Sequence, residues 1–388
     1  MRDGKTVLAQ MQELISRYDL KKLVSLHNGD KNVKFFTSQN LLTVMLYAQM
    51  TGKMSLRDIC DGLRSKMNYW YHLSLQAISR NNLSHALKMR PCEVFESIFY
   101  HLLGKVQAER GMMSDKRFKF KNPLRSIDST TISLCLSLFE WAKFRRAKGG
   151  IKLHVMFNNK EQLPEFIIMS EAKQHDINAA YEMPIQPNGI YVMDRGYLCY
   201  DFLEKIRKNK AFFVIRTKSN TKYRVIERRK KSDSSIKADW IVEITGNKAE
   251  EYTEKLRVVR YYDNDTKHTY EYYTNNFTLS AKTIADVYKA RWDIEIFFKF
   301  IKQNLKIKTF FGTSENAVMI QVWTAMIALL LVEYIRFKCR SKFSLQKAWR
   351  VLKDNLFQQY RIESLLAEFL TPKPDVIKFN DGQLFLCF

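Results

Sequence analysis

The stretch Ser126-Ile127-Asp128-Ser129-Thr130-Thr131-Ile132 is short and rich in β-branched residues, and it predicts a β-strand that carries one carboxylate. Residues 151–157 alternate between apolar and polar side chains at period two, which predicts a second strand. A third short apolar run covers 166–169. Three successive strands are therefore expected in the part of the chain that follows Pro123.

Helices and strands alternate after these three strands. An apolar run at 190–193 ends in Asp194, residues 200–208 have a helical pattern, and 211–215 predict another strand. Three strands, a polar helical interval, a strand, a helix and a strand resemble the ribonuclease-H-like layout of an α/β fold.

Residues 217–277 interrupt this core. They contain several alternating runs, which predict an inserted antiparallel sheet at 223–226, 240–244, 256–260 and 270–273. From Ser280 to about residue 357 the pattern is helical again.

Residues 1–110 also predict helices, the clearest of which begins at Thr37-Ser38 and ends at Gly52. This region resembles a helical DNA-binding module of helix-turn-helix type. A structural helical cap is the alternative for the same region.

The composition limits the class of partner. The chain has 388 residues with 64 basic and 40 acidic side chains, so the formal net charge is +24. Because 46% of the residues are hydrophobic, a large core is expected and intrinsic disorder is not. A charge of this size indicates a polyanionic partner, with nucleic acid favoured over an anionic membrane surface.

The positive charge is concentrated in two regions. Residues 1–126 carry 21 basic and 10 acidic side chains, and residues 205–260 carry 17 and 7. The segment between them, 127–204, carries 8 and 10. Two basic regions that flank an acidic one are typical of phosphate-binding surfaces beside a metal-binding centre.

Cysteines and apolar runs exclude other classes. The six cysteines are scattered without a Cys-x-x-Cys pair, so neither a zinc site nor a disulfide framework is expected. The N-terminus lacks the apolar region of a signal peptide, and a reducing cytosol is the simplest compartment. The most apolar run, 318–335, contains Gln321, Thr324 and Glu333, which favours a buried helix over a membrane span.

The spacing Tyr288-x-x-Arg291-x-x-x-Glu295-x-x-x-x-x-x-Lys302 is the sharpest chemical signal. On one continuous helix, at about 100° per residue, these four side chains would fall within about 60° of arc. Asp293 would point away and is the weaker carboxylate. An ordinary Arg291–Glu295 pair on an amphipathic helix is the alternative interpretation.

Two aspartates strengthen the chemical interpretation. Asp128 lies inside one predicted strand and Asp194 ends another, where a carboxylate is costly to desolvate unless a cation offsets its charge. Together with Glu295 they have the chemistry to bind two divalent metal ions for phosphoryl transfer. His154 and His175 are not expected to be metal ligands, because hard Mg²⁺ prefers oxygen.

Asp128, the Asp194-Arg195-Gly196-Tyr197 run and the Tyr-Arg-Glu-Lys spacing resemble the transposases of the insertion-sequence-four family, which are DDE recombinases. The resemblance covers about 120–340 and implies that Asp128, Asp194 and Glu295 are the catalytic, metal-binding triad. It also implies two Mg²⁺ ions per site, replaceable by Mn²⁺, and DNA contacts by Tyr288, Arg291, Lys302 and Arg195.

In that family a sheet is inserted before the glutamate-bearing helix, as 217–277 would be here. The basic run Arg228-Arg229-Lys230-Lys231 is then expected to bind DNA. In some members a tryptophan of the insertion stacks on a flipped base. Trp240 is the candidate, with a core position as the favoured alternative.

The resemblance thus implies a transposase that binds terminal inverted repeats, cuts the element ends and joins the 3′ hydroxyls to target DNA. It is expected to act as a homodimer on bacterial DNA in the cytoplasm, without a membrane. A nuclease that cuts without joining and a non-catalytic DNA-binding regulator are the rivals. The expected regions are a helical DNA-binding region 1–120, core parts 121–216 and 278–340, the insertion 217–277 and a C-terminal helical region 341–388.

Overall fold

The computed structural model describes residues 4–110, 117–134, 139, 143–145, 148–217, 221–231, 233–245, 250–305 and 310–367. It divides into two compact units, which are described separately. Unit 1 comprises Met1–Val106 with Thr309–Phe388, and unit 2 comprises Gln107–Lys308.

Unit 1 is helical. Its helices are α1 Val7–Gln12, α2 Arg17–Leu26, α3 Ser38–Thr51, α4 Leu56–Arg64, α5 Trp70–Leu73, α6 Arg80–Met89 and α7 Cys92–Arg110, the last of which runs on into unit 2. Unit 2 contains α8 Asp176–Glu182, α9 Tyr200–Lys208, α10 Ala281–Lys289 and α11 Trp292–Asn304. Unit 1 resumes with α12 Glu315–Lys338, α13 Leu345–Asp354 and α14 Ile362–Leu366.

The strands of unit 2 are β1 Leu124–Leu134, β2 Lys143–Arg145, β3 Lys148–Asn158, β4 Leu163–Glu171, β5 Ile190–Met193, β6 Phe212–Arg216, β7 Tyr223–Arg228, β8 Ile236–Ile244, β9 Leu256–Asp263 and β10 His268–Thr274. The strands predicted from alternation all lie within or overlap these ranges. Two short 3-10 helices, Met67–Tyr69 and Arg195–Tyr197, complete the elements of the described residues.

Unit 1 is organised around α12. This helix packs against α3, α6 and α13, and almost all of its residues from Ala317 to Ile335 are buried. It is the one helix among the described residues that is long and apolar enough to cross a membrane, and its burial confirms the prediction of a core helix. The predicted helix from Thr37 to Gly52 is α3, with Thr37 as N-cap and Gly52 as a left-handed C-cap at φ 70°.

The first part of the sheet in unit 2 has the ribonuclease-H-like strand order. β4 pairs with β3 and β3 with β1, both antiparallel, and β1 then pairs with β5 and β5 with β6, both parallel. The helix α8 lies between β4 and β5 in the chain, and α9 lies between β5 and β6. The predicted α/β core is therefore confirmed.

Side-chain alternation gives the sheet two buried faces. Tyr191 and Met193 of β5 belong to a cluster with Phe202 and Leu203 of α9. Ile190 and Val192 belong to a second cluster that includes side chains of α10, among them Ile284 and Ala285. Since successive strand residues point to opposite faces, both sides of β5 are fully buried, as expected of a central parallel strand.

The insertion is not a separate sheet. Strands β7 to β10 are antiparallel neighbours, and β10 also pairs with the core strand β6, so the path runs β2-β3-β1-β5-β6-β10-β9-β8-β7. A buried ion pair crosses β8 and β9, in which Arg257 donates to both carboxylate oxygens of Asp239 at 2.8 Å. The predicted antiparallel insertion thus extends the core sheet.

The compact units divide the chain differently from the expected regions. Unit 2 ends at Lys308, whereas the second part of the core was expected to continue to 340. The reason is the packing of α12, whose apolar surface is covered by helices of unit 1. Residues 309–367 therefore group with the N-terminal helices.

Candidate active site

Strand register brings the two aspartates together. β1 and β5 are parallel neighbours, and Ile127 is the partner of Met193 in their register. Asp128 and Asp194 each follow one of these residues, so the two carboxylates start from adjacent positions on the sheet. Ile127 and Met193 share one buried cluster, which directs the following residues to the opposite face.

The third carboxylate comes from a helix, but not from the single helix that the spacing predicts. Helix α10 ends at Lys289 and α11 begins at Trp292, with Arg291 at the junction. Tyr288 is thus on α10, while Glu295 and Lys302 are on α11. The calculation of a shared face on one continuous helix is therefore wrong.

Asn159 accounts for the break. Its side-chain amide donates to the carbonyl of Ala290 at 2.7 Å and to Asp293 Oδ2 at 3.1 Å, while its own Oδ1 accepts from Ser126 Oγ at 2.9 Å. A side chain inserted into the backbone ladder bends a helix at that point. The buried Asn159 therefore ties β1 to the start of α11.

Arg291 links β1 to α11 through ion pairs with one carboxylate on each. Its Nη1 donates to Asp128 Oδ2 at 3.0 Å and its Nη2 donates to Glu295 Oε1 at 2.8 Å. Burial opposes its charge, yet the hydrogen bond to Glu295 and the nearby Tyr288 and Asp128 raise the pKa of Arg291 overall. The guanidinium stays protonated between two carboxylates.

Asp128 is electrostatically strained. Burial raises the pKa of Asp128 to about 6, and the negative charges of Asp194 and Glu295 also raise it. The hydrogen bond from the Ser129 amide and the positive charge of Arg291 lower this pKa, but they do not outweigh burial. Mutual repulsion among carboxylates is the expected signature of a site built for a cation.

These residues line one cavity of about 600 Å³. It contains all three acidic residues, Arg291 and Lys302 of the predicted set. It also contains residues that sequence reasoning missed, namely Ser129, Thr130, Phe298, Lys299 and Gln303. Lys299 had a signal in the sequence, because it follows Glu295 by four residues on α11 and shares its side of the helix.

The resemblance implies that divalent metal ions bind at this cavity. The donor chemistry fits, because three carboxylates around one cavity suit a hard divalent cation. However, within the described part of the chain no three His, Cys, Asp or Glu side chains lie close enough together to hold an ion. Arg291 instead neutralises Asp128 and Glu295 directly.

Two other predicted DNA contacts, Tyr288 and Arg195, do not line this cavity. The ring of Tyr288 lies 5.9 Å from the guanidinium carbon of Arg291 and 4.5 Å from the ring of Tyr272. Arg195 is exposed directly after Asp194. Trp292, which follows Arg291 in the chain, is 60% exposed.

The insertion residues are not brought to the cavity. Arg228 ends β7, the outermost strand, which is separated from β5 by four other strands. Arg228, Lys230 and Lys231 are exposed, whereas Arg229 donates to the carbonyl of Phe277 at 3.0 Å. Trp240 is partly buried against the α9 cluster, with its ring 6.5 Å from that of Tyr223, which favours the core position.

The residues judged weaker from sequence are engaged elsewhere. Asp293 accepts from Arg117 and Gln162, each at 2.8 Å. His154 is fully buried, bonds to Ser170 Oγ at 2.8 Å, and has a pKa lowered to about 4 by burial.

Comparison with known families assigns the class. A profile described as "Transposase DDE domain" matches residues 119–331, more than half of the chain. The chain therefore belongs to the DDE transposase family, which are enzymes that cleave and transfer DNA and normally use divalent metal ions. A second profile, for a domain of unknown function (DUF4372), matches residues 3–76.

Individual relatives agree with this class. A probable transposase for insertion sequence element IS5377 from Geobacillus stearothermophilus is 28% identical over 84% of this chain and 83% of its own length. The putative transposase y4zB of Sinorhizobium fredii is 34% identical over 64% of this chain and 69% of its own length. A putative transposase for insertion sequence element IS4SA from Synechocystis is 25% identical over 67% of this chain and 72% of its own length.

Among solved structures, the piggyBac transposase in a synaptic complex with hairpin DNA aligns at a TM-score of 0.49 and 9% identity, over 95% of this chain and 84% of that one. The fold assignment itself rests on the strand topology and on the family match.

Proposed function

We propose that this transposase cuts DNA at the ends of an insertion sequence and joins the freed 3′ hydroxyls to target DNA, with Asp128, Asp194 and Glu295 as its catalytic triad. One observation carries the proposal. The three carboxylates line a single cavity together with Arg291 and Lys302, which are cations suited to a scissile phosphate.

Each side chain has a distinct task in this proposal. Once Arg291 releases Asp128 and Glu295, the two aspartates on neighbouring strands and Glu295 on α11 would hold two divalent ions, Mg²⁺ or Mn²⁺. Such ions activate an attacking oxygen and stabilise the leaving one. Arg291 would bind a phosphate by a bidentate contact, Lys302 would add a point charge, and Tyr288 would support Arg291 from α10.

The reaction would be an in-line displacement at phosphorus without a covalent enzyme intermediate. Water attacks the phosphodiester at the element end and releases a 3′ hydroxyl. That hydroxyl then attacks a target phosphodiester, so one bond to phosphorus forms as another breaks in each step. Arg195 and Arg228–Lys231 are proposed as further DNA contacts. We also propose a homodimer on DNA in the bacterial cytoplasm.

The isosteric variants Asp128→Asn, Asp194→Asn and Glu295→Gln test the triad. Each is expected to slow strand cleavage at least roughly 100-fold while DNA binding is retained, because loss of even an outer contact of a metal site costs 10–100-fold. The substrate is a plasmid that carries the gene with its native flanking DNA, and nicked and linear products are measured on gels.

Asp286→Asn is the matched control, because Asp286 is a partly exposed carboxylate on α10 that pairs with Lys282. Its cleavage rate should equal that of the wild type. Undiminished cleavage by any triad variant would remove that residue from the catalytic set.

The same assay separates the rival functions. Products joined to target DNA support the transposase, and cleavage without joining supports a nuclease. A wild type that binds DNA and neither cuts nor joins it in Mg²⁺ or Mn²⁺ supports a regulator derived from a transposase.

A further inference from the structure

Helix α6 of unit 1 has an unusual exposed surface. Leu83, Ala86 and Leu87 are its buried residues, and the helix packs against α3, α4 and α12. The remaining residues cover roughly 200° of arc at 100° per residue. The exposed side chains on this arc are Arg80, Asn81, Asn82, Ser84, His85, Lys88 and Met89.

No acidic residue occurs anywhere in α6. A surface helix of a soluble protein normally mixes both signs of charge on its polar face. Arginine and asparagine are also the side chains that make bidentate hydrogen bonds to guanine and adenine in the major groove. The composition of α6 thus matches a surface that meets a polyanion and reads bases.

A cavity of about 560 Å³ adjoins this surface. One wall is formed by α6 and the residues after it, including His85 and Met89, and the other by 27–36, including Lys31, Lys34 and Phe35. Phe35 is 75% exposed, and both lysines are exposed. Among the described residues, no Asp or Glu lines the cavity, and the side chains that line it are basic or neutral.

The one acidic residue of this loop is used internally. Asp30 Oδ1 accepts from the backbone and the hydroxyl of Ser38 at 2.7 and 2.8 Å and lies 3.5 Å from Arg90 Nε. Arg90 also donates to the carbonyl of Phe36 at 2.7 Å. These contacts brace the loop against the C-terminal end of α6 and leave Lys31 and Lys34 facing solvent.

We propose that this surface is a duplex DNA-binding site in which α6 enters the major groove and the 27–36 loop holds the flanking phosphate backbone. Arg80, Asn81 and Ser84 read base edges. Lys31 and Lys34 contact phosphates, and Phe35 packs against the sugar edge. Duplex DNA as the partner rests on the proposed function, since an enzyme that cuts at element ends must recognise them.

The two parts of the surface predict different losses. Removing a base contact changes which sequence is preferred, whereas removing a phosphate contact weakens binding to every sequence and reduces its salt dependence. The full chain is therefore used to select duplexes from a library with a randomised centre. Selected duplexes are then titrated by fluorescence anisotropy at several salt concentrations.

The double variant Arg80→Ala/Asn81→Ala should lose base preference at the positions it reads and bind the wild-type selected duplex about tenfold or more weakly. Lys31→Ala/Lys34→Ala should select the wild-type sequence, bind all duplexes more weakly and show a log–log salt slope shallower by roughly 2. Lys21→Ala/Lys22→Ala is the matched control, because these exposed lysines of α2 do not line the cavity.

Three results would overturn the site. One is selection of an unchanged sequence at unchanged affinity by Arg80→Ala/Asn81→Ala. The second is a loss by the control as large as that of Lys31→Ala/Lys34→Ala. The third is stronger retention of a single-stranded RNA library run in parallel. Circular dichroism and thermal melting of each variant show that a loss of binding is not a loss of fold.

Failure of the site is distinguishable from failure of the proposed function. Asp128→Asn should select the same sequence as the wild type and yet not cut it. Selection of a sequence that the wild type never cuts would leave the binding site standing and remove the catalytic proposal. If the wild type cuts at a sequence that Arg80→Ala/Asn81→Ala still selects, the catalytic proposal stands and the α6 binding site is removed.

Discussion

Arg291 occupies the position between two carboxylates where a cation would otherwise be needed. Its ion pairs of 3.0 Å to Asp128 and 2.8 Å to Glu295 neutralise both groups. A phosphate of a DNA end would compete for the same guanidinium. Release of the two carboxylates would then accompany DNA binding, so DNA and metal ions should bind cooperatively.

Arg291→Ala is therefore expected to bind Mn²⁺ about tenfold or more tightly than the wild type without DNA, because a positive charge a few ångströms from the site is removed. Isothermal titration or Mn²⁺ electron paramagnetic resonance measures this affinity. Arg291→Lys retains the charge and should stay near the wild type. Equal affinities for wild type and Arg291→Ala would show that the ion pairs do not oppose metal binding.

At the scale of elements, the junction of α10 and α11 determines where Glu295 lies relative to Asp128. Asn159 makes this junction, since it bonds to Ser126, to the carbonyl of Ala290 and to Asp293. It lies outside the catalytic cavity and so acts by positioning.

Asn159→Ala should lower the free energy of unfolding by roughly 1–3 kcal/mol, because it leaves buried polar groups without a partner. It should also lower the cleavage rate at saturating DNA. Denaturant unfolding and initial rates are compared with those of Asn276→Ala, which removes another buried asparagine that bonds to Thr278 and Leu279 in the insertion. Equal loss of activity in both variants would reduce Asn159 to a purely structural role.

A buried ion pair between Arg257 and Asp239 links the strands β8 and β9. Arg257 and Asp239 are 1% and 5% exposed, so removing one partner leaves a buried charge uncompensated. Arg257→Met is expected to lose about 3–5 kcal/mol in denaturant unfolding. The double variant Arg257→Met/Asp239→Leu should recover most of that loss, and a double variant as unstable as the single one would contradict this explanation.

The sequence predicted elements well where periodicity is local. The run at 200–208 matches α9, and 190–193 matches β5. The prediction of one continuous helix failed, because the break depends on the distant Asn159 and nothing between 281 and 304 indicates it. Pairing of β10 with β6 and the grouping of α12 with the N-terminal helices are also long-range, so side-chain patterns along the chain do not determine them. The triad itself stays a prediction, and the structure places its three carboxylates around one cavity.

At the scale of the whole molecule, the net charge of +24 should make DNA binding strongly dependent on salt. Lys230→Ala/Lys231→Ala should weaken binding to any DNA sequence and make the log–log salt slope shallower by roughly 2. The cleavage rate at saturating DNA should not change.

Lys173→Ala/Lys208→Ala removes the same charge from lysines that pair with Glu171 and Glu204. Its slope should stay close to that of the wild type. Equal slopes for the two double variants would mean that the insertion does not contact DNA. Anisotropy titrations over a range of salt concentrations provide both measurements.

The hydrogen bonds between β10 and β6 mean that the catalytic core cannot simply be trimmed to its minimal strands. Deleting 217–277 would expose the backbone donors and acceptors of β6 along an apolar strand whose residues Phe213, Val214 and Ile215 are fully buried. A bare strand of this kind pairs with other chains and promotes aggregation. The insertion thus shields the edge of β6 from pairing with other chains.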